Sequence, residues 1–171
     1  KSIRPLPEKW HGLQDAEERF RQRPLDLLMN PVVRARFEAR SKLLKSLRAF
    51  FEKEEFQEVE TPLLHPIPGG ALARPFVTRY NALNADFYLR VAPELYLKRL
   101  LVGGLPKVFE IGKNFRNEGI DALHNPEFTE LEAYAAFEDA QGFMALIERL
   151  FEKATKEVTG KHIILFNGNE I

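Results

Sequence analysis

Arg116, Glu118, His124, Phe128, Glu130, Glu132 and Tyr134 crowd into one short stretch of the chain, inside the run Lys107 to Phe137. A guanidinium is permanently charged and forked, so Arg116 can hold two acceptor oxygens at once, which a lysine ammonium cannot do in the same geometry. An isolated Arg–Glu pair is usually a surface ion pair worth little. This stretch is denser than that, and its aromatics would gain nothing on a merely solvated surface.

Side chains alternate faces along an extended chain, so residues two apart look the same way. In the second of two strand-like runs, Phe128, Glu130, Glu132 and Tyr134 share one face, while Thr129, Leu131, Ala133, Ala135 and Phe137 share the other. In the first run Phe109, Ile111 and Phe115 oppose Glu110, Gly112, Asn114, Arg116 and Glu118. The apolar faces can seat on a core. The opposite faces are either the wet side of an antiparallel sheet or a working surface.

The elements that must position this hairpin follow from periodicity and punctuation. Leu13 to Met29 reads as a charged helix, ended by Asn30-Pro31, a cap residue and a proline suited to a first helical position. Val33, Phe37, Leu43, Leu44, Leu47, Phe50 and Phe51 recur at helical spacing, predicting a long amphipathic helix from Val32 to near Glu54. Prolines and the Gly69-Gly70 pair make Thr61 to Arg74 a loop. Phe76 to Tyr80 and Phe87 to Val91 read as strands, with Asn81 to Asp86 as their turn. Pro93 opens a helix that stops at Gly103-Gly104, and Asp139 to Val158 is helical, with Phe143, Leu146, Ile147, Leu150 and Phe151 on one stripe. Ile163 to Phe166 is a last strand and Asn167-Gly168-Asn169 a turn. Strand following strand with few helical crossovers predicts an α+β fold, an antiparallel sheet flanked by helices.

Composition sets outer bounds. A chain of 171 residues, 44% hydrophobic, can bury one core. Its 25 basic and 25 acidic residues cancel, so it lacks the bulk positive field of an autonomous nucleic-acid binder. It has no cysteine, which excludes disulfides and thiolate chemistry, and its four histidines are too scattered to predict a metal site. No long apolar run or targeting segment is visible, so a cytoplasmic protein without membrane contact is the expectation.

Phe115-Arg116-Asn117-Glu118, a loop, and His124-Asn125-Pro126-Glu127-Phe128-Thr129 resemble motif 2 of the class II aminoacyl-tRNA synthetases. Val59-Glu60-Thr61-Pro62 resembles the end of their motif 1. Arg4-Pro5-Leu6-Pro7 with His11-Gly12-Leu13-Gln14-Asp15, Ile67-Pro68-Gly69-Gly70-Ala71 with Arg74-Pro75-Phe76, and Ala92-Pro93-Glu94-Leu95-Tyr96-Leu97-Lys98-Arg99-Leu100 narrow the resemblance to the lysyl-tRNA synthetases. It covers nearly the whole chain up to about Gly160.

That resemblance implies a reaction and a set of roles. Lysine's carboxylate attacks the α-phosphate of ATP to give lysyl adenylate and pyrophosphate, and tRNA(Lys) then takes the lysyl group. Arg116 would be the catalytic residue. ATP would be held by Arg116, Glu118 at the adenine amino group, His124 at the outer phosphates, Asn125, and Phe128 at the face of the base. Lysine would be held by Gly70 and Glu94 at its α-amino end and by Glu132 and Tyr134 at its ε-amino end. Phe50 and Pro62 would belong to a homodimer interface built on motif 1. Taken alone, Glu94 is a helix-start carboxylate favoured by the macrodipole, and His124 an ordinary loop histidine.

The same resemblance makes residues 1–171 a single partial catalytic domain. Its parts would be a leading helix in 1–30, the motif 1 helix and strand in 31–64, and a substrate loop and helix in 65–105. The motif 2 hairpin in 106–137 and a helix and following strand in 138–171 complete it. Motif 3 is expected beyond the chain, as are the ligands of Mg2+, so no metal site is expected within it and little aminoacylation from these residues alone. Pro24 stands where relatives commonly have tyrosine, Glu55 where glycine is usual, and Leu123 where arginine is common. Two other readings stay open: a synthetase-like protein lysyltransferase, and a non-catalytic binding or dimerisation module.

Overall fold

In the computed structural model of the chain, residues 13–170 are described. The Arg4–Pro7 and His11-Gly12 segments of the resemblance lie outside them. The elements run α1 (Ala16–Arg21), α2 (Arg23–Met29), α3 (Pro31–Lys53), β1 (Gln57–Glu58), β2 (Leu64–His65), β3 (Val77–Tyr80), β4 (Ala85–Leu89), α4 (Glu94–Val102), β5 (Lys107–Phe115), β6 (Glu127–Ala135), α5 (Ala140–Thr159), β7 (Leu165–Phe166) and β8 (Asn169–Glu170). This is an α+β arrangement. Two compact units divide it, one of residues 48–147 and one of the remaining described residues.

The helix expected over Leu13 to Met29 is two helices. Asp15 caps the first by accepting from the Glu18 amide at 2.8 Å. The chain then breaks at Gln22, and Pro24 sits in the first turn of α2, where its missing amide costs nothing. Buried Asp26 draws the segment together, accepting from Arg19 at 2.8 Å, Arg23 at 2.6 Å and Asn30 at 2.7 Å. The hydrogen bond from Arg19, first among these causes, holds its carboxyl below the usual carboxylate range. At the far end of this unit, Asn167 and Gly168 both adopt positive φ, the geometry a tight β7–β8 hairpin requires.

In the unit of residues 48–147 the core is aromatic. Phe51 and Phe109 are fully buried and stacked with ring centroids 4.8 Å apart, and Phe56 meets Phe51 edge-on at 5.1 Å. Each such burial contributes about 1.5–3 kcal/mol. Phe50 is also buried, 4% exposed, and packs edge-on to Phe51 at 5.6 Å. Of the two residues expected at a dimer interface, Phe50 is thus covered within the chain, whereas Pro62 is exposed.

Glu55 explains the glycine usual at its position. Its φ is 66°, in the left-handed region, directly after α3. The Phe56 amide donates to the Phe51 carbonyl at 2.9 Å and the Glu55 amide to Glu52 at 3.1 Å, which with the Phe51–Phe56 contact forms a Schellman cap. A side chain costs energy there. Glu55→Gly is therefore expected to stabilise the fold by about 0.5–1 kcal/mol, read as a raised Tm in thermal denaturation.

Two sheets surround this core. In the first, β5 lies between β1 and β6, and the β1–β5 pairing is parallel. The sheet is thus mixed, because β1 enters from the end of α3 instead of from a hairpin. In the second the order is β2-β4-β3, all antiparallel, with β4 beginning at Ala85 and so earlier than the sequence indicates. A 3-10 turn, Asn81–Leu83, and left-handed Asn84 shorten the β3–β4 connection.

Candidate active site

The β5–β6 register pairs Glu110 with Glu132, Gly112 with Glu130 and Asn114 with Phe128. Directly paired residues point to the same side, so the polar face expected from parity is one surface. It is not a wet one, since Glu110 and Asn114 are buried. Carboxylates opposite one another repel, and a cation missed by sequence reading compensates. Arg90, 1% exposed, follows β4 and reaches across this face of the hairpin, over Gly112. Its Nη1 donates to Glu110 Oε1 at 2.5 Å and to Thr61 Oγ1 at 2.9 Å, and its Nε donates to the Lys113 carbonyl at 2.8 Å. Thr61 Oγ1 in turn donates to Glu110 Oε2 at 2.7 Å. Gly112 leaves the room: a Cβ there would lie 2.1 Å from Arg90 Nη2.

At one end of this face is a cavity of about 380 Å³ lined by Arg116, Glu118, Gly119, Leu123, His124, Asn125 and Phe128. All five residues named for ATP are among them. Arg116 is fixed through its backbone, its amide donating to the Pro126 carbonyl at 2.9 Å. Its guanidinium carbon stands 4.8 Å from the Phe128 ring centroid, and its Nε is buried with no partner among the described residues. The Glu118 carboxylate accepts from the Arg74 amide at 3.3 Å, while the Asn117 amide donates to the Arg74 carbonyl at 2.8 Å, tying the loop after β2 to the hairpin. Asn125 donates its side-chain amide to the Glu127 carbonyl at 2.6 Å.

His124 is held by a residue that sequence reading passed over. Asp121 Oδ1 accepts from the Leu123 amide at 2.7 Å and the His124 amide at 2.8 Å, and Oδ2 lies 2.8 Å from His124 Nδ1. These bonds, the Leu123 amide first, hold the Asp121 carboxyl below its usual range. Nδ1 thereby carries the proton in the neutral ring, and Nε2 is left for the cavity. An aspartate two and three residues ahead of the amides it caps is a readable turn pattern.

Further along the face, Tyr134 Oη donates to Glu132 Oε2 at 2.8 Å. Burial first, then the negative charges of Glu130 and Glu94, raise the Glu132 carboxyl above its ordinary value. Burial and the Glu132 carboxylate push the Tyr134 hydroxyl up as well. Gly70 has φ of 94°, and a Cβ on it would sit 3.3 Å from the Ala92 Cβ and 3.5 Å from the Glu94 Cβ, so loop and α4 close on each other there. Glu94 pairs with Lys98 at 2.5 Å, and Glu130 accepts from the Asn114 amide. Among the described residues no trio of acidic or histidine side chains is grouped to hold a metal ion. A row of carboxylates short of cations, with a tyrosine beside it, fits an ammonium.

A forked cation beside an aromatic on an antiparallel hairpin, with carboxylates further along the same strands, is suited to hold an anion near an ammonium. The family described as tRNA synthetases class II (D, K and N) matches residues 15–169, and the chain belongs to it. Within that family its likeness is to the lysine enzymes. Over all 171 residues it is 57% identical to the lysine–tRNA ligase of Pelotomaculum thermopropionicum, 56% to that of Carboxydothermus hydrogenoformans and 54% to that of Burkholderia mallei. It covers 34%, 35% and 34% of their lengths, so the chain spans about a third of these relatives.

Proposed function

We propose that the protein containing this chain is a lysine–tRNA ligase, activating lysine with ATP and transferring the lysyl group to tRNA(Lys). The observation that carries this reading is the position of Arg116, whose guanidinium stands over Phe128 in the cavity at one end of the carboxylate face, its buried Nε without a partner among the described residues. An oxygen of the lysine carboxylate forms a bond to the α-phosphorus, and the bond from that phosphorus to the bridging oxygen breaks, releasing pyrophosphate. Two anions must meet, so charge and alignment supply the catalysis. Arg116 holds the carboxylate and an α-phosphate oxygen together and stabilises the charge that builds between them.

His124, steered by Asp121, meets the outer phosphates, Glu118 the adenine amino group, and Phe128 the base, with Asn125 holding the strand beneath. Gly70 and Glu94 receive the α-ammonium, Glu132 and Tyr134 the ε-ammonium. Mg2+ would accompany ATP and offset phosphate charge; among the described residues no trio of acidic or histidine side chains is grouped to hold it. A terminal ribose hydroxyl of the tRNA then attacks the lysyl carbonyl and AMP leaves. The protein works in the cytoplasm, as a dimer with Pro62 near its interface; among the described residues no helix is long and apolar enough to cross a membrane.

Amino-acid-dependent ATP–pyrophosphate exchange by the full-length protein tests the assignment. Exchange is expected with lysine and not with aspartate or asparagine; exchange driven by either of those would overturn it. Phe128→Ala is expected to raise the KM for ATP roughly 5- to 150-fold, the equivalent of about 1–3 kcal/mol of base stacking, with the KM for lysine little changed.

A further inference from the structure

We propose that Arg90 is a positioning residue for the substrate side chain: its buried guanidinium, seated over Gly112 and paired with Glu110, keeps Glu132 and Glu130 as a carboxylate pair facing the lysine ammonium. The inference rests on the lysine-binding reading given above.

A buried ion pair is a poor way to gain stability, because removing both charges from water offsets most of their attraction. Arg90 and Glu110 are 1% and 5% exposed, and Glu110 shares the face of Glu132. Arg90 is also fixed at both ends. Its backbone amide donates to the Leu63 carbonyl at 2.9 Å and its carbonyl accepts from the Phe115 amide at 2.9 Å, joining the two sheets. Its guanidinium passes over Gly112, the cross-strand partner of Glu130.

Glu110 lies opposite Glu132 on β5, Glu130 and Tyr134 flank it on β6, and Glu94, engaged by Lys98, faces it from α4. Arg90 opposes the charge of Glu94 and Glu130 at Glu132. Without it, protons would compete with the substrate's ammonium for Glu132.

The consequence has a sign. Glu132 must be ionised to pair with an ammonium, and its pKa is raised, so the KM for lysine rises as pH falls through that value. Removing Arg90's charge raises it further. In full-length protein, Arg90→Met is expected to move the acidic limb of the KM(lysine) profile to higher pH by roughly one unit, with kcat little altered well above the limb. Arg90→Lys, which keeps the charge, is expected to bring the limb most of the way back. Glu110→Gln removes a negative charge and frees Arg90, so it is expected to move the limb to lower pH.

A limb that stays in place in a folded Arg90→Met protein would overturn the proposal, leaving Arg90 a structural joint. If Arg90→Met does not fold, the isosteric Glu110→Gln decides: a downward shift supports the proposal and an unmoved limb overturns it. Absence of lysine-dependent exchange in the parent protein at any pH would instead sink the lysine-ligase reading itself.

Discussion

Arg116→Ala is expected to lower lysine-dependent ATP–pyrophosphate exchange by the full-length protein about a hundred- to a thousandfold, the loss seen when one preorganised donor to developing charge is removed. The fall belongs mainly in kcat, because the guanidinium's contact with the α-phosphate strengthens as the new bond forms. The fold is expected to survive. The Arg116 side chain lies against Phe128 and its Nε has no protein partner among the described residues, so truncation strands nothing and thermal melts move little. Arg116→Lys recovers only part of the rate, since it restores charge without the fork. Wild-type exchange in Arg116→Ala would remove the residue from the chemistry.

Glu132→Gln is expected to raise the KM for lysine by about 2–5 kcal/mol, roughly thirtyfold to a few thousandfold, because it leaves a desolvated ammonium without its closest counter-charge. The amide oxygen can still accept from Tyr134, so the geometry of that pair is kept. Stability moves the other way. A carboxyl whose folded pKa is raised costs the native state free energy when ionised at neutral pH. The neutral amide escapes that cost, and Tm is expected to hold or rise. A site that binds its ligand at the expense of the empty fold behaves in this manner. An unchanged KM would move the ε-amino end elsewhere.

The hairpin was legible because β5 and β6 are long enough for a period of two to show, and the register pairs the residues that parity had grouped. Short elements carried no such signal. β1 and β2 have two residues each, too few to display alternation. The break at Gln22 was masked because glutamine is an acceptable helix former, although Pro24 marks the new start.

Burial was the harder quantity. Phe50 shares an apolar stripe with its neighbours, and periodicity says that such a face is covered without saying by what; Phe51 and the chain's own core cover it. Arg90 falls inside the strand expected over Phe87 to Val91, with nothing local to single it out. Its role depends on Glu110 and Gly112, remote in sequence, and only the folded chain brings a glycine under a guanidinium. Asp121 could have been read, since its spacing to the amides of Leu123 and His124 is local.

The central claim is that one hairpin face holds both halves of the reaction. A crystal structure of the full-length protein with a non-hydrolysable lysyl-adenylate analogue tests it most directly. The account predicts the phosphate mimic on Arg116, the adenine against Phe128, and the ε-ammonium between Glu132 and Tyr134. An analogue bound with its ammonium away from Glu132, or its phosphate mimic out of reach of Arg116, would contradict it.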